Sequence, residues 1–155
     1  MEPKALECRN VSKIFVTGKT EKKIFADINF SPVNNKVNVI RGKSGAGKTV
    51  FLWLLAGLDA PTSGEILIDG CPITNLPAAQ SSRLRREKIG VIFQNFNLVS
   101  TWTVLENVIS PLVDAGLSKK EKIEKAFILL EKLGIHEHSH KLPKELSLGQ
   151  EQRAA

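Results

Sequence analysis

Gly42-Lys43-Ser44-Gly45-Ala46-Gly47-Lys48-Thr49 fits the pattern G-x-x-x-x-G-K-[ST] at every position. A nucleoside triphosphate carries several negative charges on closely spaced oxygens. Glycines let the backbone curl until successive N–H groups point inward at such oxygens. A helix expected to begin near Lys48 adds the positive end of its dipole. Lys48 is expected to reach the β- and γ-phosphates as a point charge, and the Thr49 hydroxyl is expected to ligate Mg²⁺. Gly42, Lys43, Ser44, Gly45, Ala46 and Gly47 form the cradle between a strand and that helix.

The flanking sequence supplies the setting. Residues 37–40, Val-Asn-Val-Ile, predict a short strand feeding the loop. Residues 49–56 are too apolar for a surface helix, so a buried helix is expected, with Trp53 in the core. Upstream, residues 6–15 and 24–30 read as strands around a polar turn at 17–23. Downstream come a Gly/Pro loop over 58–64, a strand over 65–68 ended by Asp69-Gly70, a helix over 77–88 and an apolar strand over 89–93. After Gln94 the spacing becomes helical: Val104, Leu105, Val108, Ile109 and Leu112, then Ile123, Ala126, Phe127, Leu130 and Leu133 behind a Ser118 cap.

Composition narrows the class. The chain has 155 residues, a net charge of +6, 42% hydrophobic and 25% charged residues, which is globular rather than disordered. Its two cysteines are too few for a disulfide scaffold, and no Cys/His ladder suggests zinc. The longest apolar run, 50–58, falls far short of the about 20 residues a bilayer span needs. The first residues lack the apolar stretch of a signal peptide, so a cytoplasmic location is expected. Arg83, Arg85, Arg86 and Lys88, and the lysines over 119–132, read as solvated helical faces. No aromatics interleave with them, so no nucleic-acid partner is expected. His136, His138 and His140 lack carboxylate or cysteine partners at suitable spacing and read as solvated loop residues, not metal ligands.

The P-loop alone does not separate transporters, kinases, GTPases and helicases. Residues 89–94, Ile-Gly-Val-Ile-Phe-Gln, form an apolar strand ending in an amide side chain. Residues 146–150, Leu-Ser-Leu-Gly-Gln, follow Pro143 and lead into Glu151-Gln152-Arg153. With the P-loop these resemble the ATP-binding subunit of ABC transporters, over essentially the whole chain. The resemblance makes the P-loop a Walker A motif and Gln94 the Q-loop glutamine, which binds Mg²⁺ or the attacking water. Residues 146–150 become the signature motif, with Ser147, Gly149 and Gln150 meeting the nucleotide held by a second subunit. Phe15 stands where the family places an aromatic that stacks on adenine. Residues 84–90, 96–98 and 103–108 resemble the branch serving lipoprotein release and macrolide export.

The fold class implied is α/β: a P-loop core with an N-terminal antiparallel β-subdomain and a helical subdomain. Residues 1–155 would form a partial nucleotide-binding domain, with β-subdomain and P-loop core over 1–94 and helical subdomain over 95–150. The cofactors implied are ATP and Mg²⁺. The partners implied are a transmembrane permease subunit and a second nucleotide-binding subunit in a head-to-tail dimer. The chain would sit peripherally at the inner face of the membrane, with no insertion of its own.

The sequence departs from the family pattern in four places. Leu148 replaces a glycine that should lie against phosphate. Asn34-Asn35-Lys36 stands for a Gly-Glu pair. Phe15 lacks the hydroxyl of the commoner tyrosine. The sequence closes at Arg153-Ala154-Ala155, where the family continues into the Walker B strand with its Mg²⁺-organising aspartate and catalytic glutamate. The expectation is a truncated form, lacking C-terminal core strands, that binds ATP without hydrolysing it alone. A degenerate, non-catalytic ATP-binding or regulatory fragment is the alternative. A soluble ABC-type ATPase of DNA maintenance is disfavoured, because residues 50–145 hold no sustained heptads. Glu106 is not a candidate base. Phe96, Leu98 and Trp102 are expected to offer apolar surface to a membrane partner, although Trp102 reads equally as local packing.

Overall fold

The computed structural model describes residues 4–155, which divide into two compact units, one ending at Gly90 and the other Val91–Ala155.

The first unit is built on an antiparallel sheet. Strands β1 (Leu6–Thr17), β2 (Thr20–Phe30), β3 (Ser63–Ile68) and β4 (Cys71–Pro72) lie in the order β2-β1-β3-β4. The turn between β1 and β2 is Gly18-Lys19 alone, because Lys23, Lys22 and Glu21 pair with Ile14, Phe15 and Val16. The polar stretch expected as a turn over 17–23 is thus mostly strand. A two-residue hairpin connection suffices, and polar side chains suit a solvent-facing ribbon. Helix α1 (Lys48–Leu55) lays Phe51 and Leu54 on the sheet. Phe51 makes edge-on contacts with Phe25 and Phe30 at 5.6 and 5.7 Å, an arrangement aromatic quadrupoles favour. Only one face of α1 is covered: Leu52 is 51% and Trp53 44% exposed, so Trp53 is not the core residue expected. Cys8, Val11, Ile66, Ile68 and Ile73 complete this core. Burial pushes the Cys8 thiol up to about 11 and leaves it inert. Helix α2 (Ala78–Lys88) follows Pro77, and much of its charge is locally matched. Arg83 pairs with Glu87 at 2.8 Å and Lys88 with Asp69 at 2.9 Å, and Arg85 donates to the Gly57 carbonyl.

Two expected strands are not formed. Residues 37–40 and 89–93 belong to no ladder, and Val37 and Ile92 are 93% and 78% exposed. Both segments have the right residues. A strand also needs a neighbour to take up its N–H and C=O groups, and neither pairs with another among the described residues.

The second unit is helical. Helices α3 (Val104–Ile109), α4 (Lys119–Lys132) and α5 (Leu148–Ala154) surround Val104, Leu130, Ile135 and Ala154. Each opens on a reciprocal capping box: Thr103 with Glu106, Ser118 with Glu121, and Ser147 with Gln150. Such caps contribute about 1 kcal/mol each. The Thr103 N–H and hydroxyl hold the Glu106 carboxyl below the usual range, and both donate to its Oε2 within the cap. Buried Asn107 pins the preceding loop: its Oδ1 accepts from the Val99 N–H at 2.7 Å, and its Nδ2 donates to the carbonyls of Val99, Trp102 and Thr103. Leu98 packs on the core of this unit instead of lying free, whereas Trp102 stays 42% exposed. Among the described residues, no helix is long and apolar enough to cross a membrane.

Candidate nucleotide-binding site

The chain bends tightly at residues 44–47, with Gly45 and Gly47 at φ of +77° and +85°. The Ala46 N–H donates to the Lys43 carbonyl at 3.2 Å. Lys48 Nζ donates to the carbonyls of Gly42 and Lys43, both at 2.9 Å. Lys48 therefore folds over its own loop and closes it. Helix α1 starts at Lys48 from Gly47, with no side-chain cap and no acidic residue in its first turn. Its leading N–H groups and positive dipole end have no competing anion built in. Thr49, beside Lys48, is exposed. An uncapped helix start, a lysine ammonium and an exposed hydroxyl together form a donor set suited to a magnesium–triphosphate.

The loop is braced from the sheet. A Cβ on Gly47 would lie 2.5 Å from Ile24 Cγ2 and 3.2 Å from Phe25 Cδ1. Strand β2 thus lies directly against the loop, and β2 pairs with the part of β1 that carries Phe15. Register slips around Lys13 there, and such irregularities re-aim side chains. Phe15 is 39% exposed. Lys13, two residues earlier, is buried and sits 4.9 Å from the centre of the Phe15 ring. It is ion-paired to Asp59 at 2.8 Å and donates to the Ala60 carbonyl at 2.7 Å. Sequence reasoning passed over Lys13, because its partner lies 46 residues away and leaves no local pattern.

The second unit carries the remaining candidates. Gln94 lies in an exposed turn. Ser147 caps α5, its hydroxyl oxygen accepting from the Gln150 N–H at 3.4 Å, while Gln150 Oε1 accepts from the Ser147 N–H at 2.9 Å. Gly149 lies in the first turn of α5, and Leu148, at the first helical position, is 74% exposed. Gln150 Nε2 is 2.7 Å from His138 Nε2, and His138 Nδ1 is buried without a partner. His138 is therefore not the solvated residue expected, since its ring supports the start of α5. His136 packs on Phe127 at 4.9 Å.

Residues 25–155 match the family described as ABC transporter. An uncharacterized ABC transporter ATP-binding protein of Thermotoga maritima is 36% identical over 152 residues, covering 98% of this chain and 65% of its own length. The lipoprotein-releasing system ATP-binding protein LolD of Buchnera aphidicola is 38% identical, covering 97% of this chain and 66% of its own. The chain thus spans about two thirds of these relatives' length. A solved dimeric ATP-binding cassette in a post-hydrolysis state, bound to ADP and phosphate, superposes with a TM-score of 0.82 at 31% identity, covering 96% of this chain and 66% of that one. With a P-loop braced by an antiparallel sheet and this breadth of likeness, the chain belongs to the ABC transporter ATP-binding family.

Proposed function

We propose that the chain is the ATP-binding part of a transporter subunit, holding ATP–Mg²⁺ at the P-loop to drive transport by a membrane partner. The observation that carries this reading is the closed loop at the uncapped start of α1, with Lys48 folded over it. Lys48 exchanges its two carbonyl partners for β- and γ-phosphate oxygens. The N–H groups of residues 43–48 hold the phosphates, apart from that of Ala46, which bonds the Lys43 carbonyl, and Phe15 stacks on adenine. Thr49 would hold Mg²⁺, which would supply charge neutralisation to the phosphates, and Gln94 is assigned to Mg²⁺ or to the attacking water by the family resemblance alone. The Ser147 hydroxyl accepts within its cap, so its hydrogen is free to donate to a γ-phosphate held by a second, head-to-tail subunit, with Gly149 and Gln150 beside it. The solved relative bound to ADP and phosphate is dimeric, which supports a two-subunit reading. On this reading residues 1–94 are β-subdomain and core and 95–150 the helical subdomain, and the protein is peripheral on the cytoplasmic face of a membrane.

A polypeptide of these 155 residues binds nucleotide without turning it over. Hydrolysis needs a group that positions water in line with the γ-phosphate. In the first unit Asp59 is tied to Lys13 and Asp69 to Lys88. Gln94 is a very weak base. Calorimetry should show ATP–Mg²⁺ binding at least about tenfold tighter than AMP, since each charge-assisted phosphate contact is worth about 1.5–3 kcal/mol. AMP binding as tightly as ATP would sink the P-loop reading. Phosphate release near about 1 s⁻¹, abolished by Lys48→Ala, would reveal a missed catalytic group. The exposed Leu148 favours one second reading, a regulatory ATP-binding chain whose dimer never closes fully.

The permease contact is assigned to the loop before α3. Trp102 and Val99 are 42% and 40% exposed on a segment that Asn107 holds rigid, and exposed rigid aromatics anchor interfaces. Trp102→Ala should weaken co-purification with the membrane subunit by about 1–2 kcal/mol and leave ATP binding intact. Unchanged association together with lost domain stability would make Trp102 a packing residue.

A further inference from the structure

The buried cation under Phe15 has no part in the reading above. Lys13 is 8% exposed, and its ammonium is held on three sides: by the Asp59 carboxylate, by the Ala60 carbonyl at 2.7 Å and by the Phe15 ring. The loop end that holds it is itself fastened to β1, because Thr62 Oγ1 accepts from the Ile14 N–H at 3.0 Å and donates to the Ile14 carbonyl. Phe15 stays 39% exposed while carrying this buried cation on its ring. A cation on one face of a ring draws electron density toward itself. That leaves the opposite face poorer in electrons and a better platform for an electron-rich purine. It also fixes the ring's tilt, so less side-chain freedom is lost when a base stacks.

We propose that Lys13 is a positioning residue for the nucleotide base, acting through Phe15, and that it sets the preference for an adenine nucleotide over the bare polyphosphate. This rests on the reading that a nucleotide occupies the P-loop with its base on Phe15. The P-loop binds phosphate whether or not a base is attached, so the two contributions separate cleanly by ligand.

The test uses the whole chain and two probes, ATP–Mg²⁺ and inorganic tripolyphosphate–Mg²⁺, measured by calorimetry. Lys13→Met keeps the buried stem and removes the cation. It should weaken ATP about fivefold or more, the low end of what base–aromatic stacking contributes, and leave tripolyphosphate unchanged. Phe15→Ala should do the same, and adding Lys13→Met to it should cost nothing further, because residues that act through one contact are not additive. Lys13→Arg retains a cation that stacks on aromatic faces and should restore ATP affinity. Equal losses for both probes, or full additivity with Phe15→Ala, would make Lys13 a structural residue and overturn the proposal. Should Lys13→Met fail to fold by circular dichroism, Asp59→Asn carries the test. It frees Lys13 from its anchor and should lower the ratio of ATP to tripolyphosphate affinity, and an unchanged ratio overturns the proposal. A parent chain that binds tripolyphosphate and ATP equally overturns the base site alone, whereas one that binds neither overturns the nucleotide reading with it.

Discussion

Lys48→Ala should weaken ATP–Mg²⁺ binding by about 2–4 kcal/mol, or about 30- to 1,000-fold, the loss expected for a charge-assisted contact to phosphate. Two effects combine in that figure. The variant removes the ammonium that would meet the β- and γ-phosphates. It also removes the two bonds by which Lys48 closes the loop on Gly42 and Lys43, so the loop N–H groups lose their preorganisation. The second effect is the smaller, because both bonds are solvent-exposed and water replaces them at little cost. Thermal stability without nucleotide should therefore change little, while stabilisation by added ATP disappears. Calorimetry of parent and variant, with circular dichroism as a folding control, decides the matter. Equal affinities would show that the phosphates do not sit at this loop.

Local chemistry was legible in the sequence, and long-range pairing was not. The P-loop, the helix start at Lys48, the Asp69-Gly70 turn and the Ser118 cap each depend on residues within a few positions of one another, and all of them appear. Residues 37–40 and 89–93 carry strand propensity, but propensity does not provide the neighbouring strand on which a ladder depends. Trp53 lies in an apolar run that predicted burial, yet the sheet covers only the Phe51–Leu54 side of α1. Lys13 and His138 show the same limit at the site. Asp59 is 46 residues from Lys13, and Gln150 is 12 residues from His138 across the 3₁₀ turn Pro143–Glu145 and the cap of α5. Nothing in the alternation of β1 or in the His-x-His-x-His spacing marks those partners. Motif residues announce themselves because ligand geometry fixes their spacing; the residues that hold them are chosen by the fold.

Gly47→Ala tests whether that holding framework acts on the loop itself. At φ of +85° a residue with a Cβ costs about 1–3 kcal/mol of backbone strain. The added methyl would also stand 2.5 Å from Ile24 Cγ2. Ile24 is β-branched and stiff, and its neighbour Phe25 is packed against Phe51, so the hairpin cannot easily retreat. Overpacking adds about 1–3 kcal/mol, for a total of about 2–6 kcal/mol in the unfolding free energy. Gly45→Ala supplies the control: its φ is +77°, but nothing lies within 4 Å of the new Cβ, so it should incur strain alone. Adding Ile24→Ala to Gly47→Ala should recover part of the difference by making room. Urea unfolding of the four proteins gives the comparison. If Gly47→Ala and Gly45→Ala destabilise equally, β2 does not press on the loop. The larger loss at Gly47 would instead mean that the loop reading the phosphates and the hairpin bearing Phe15 form one packed body. The base and triphosphate subsites would then be spaced by that packing before a nucleotide arrives, and ATP affinity in Gly47→Ala should fall further than tripolyphosphate affinity.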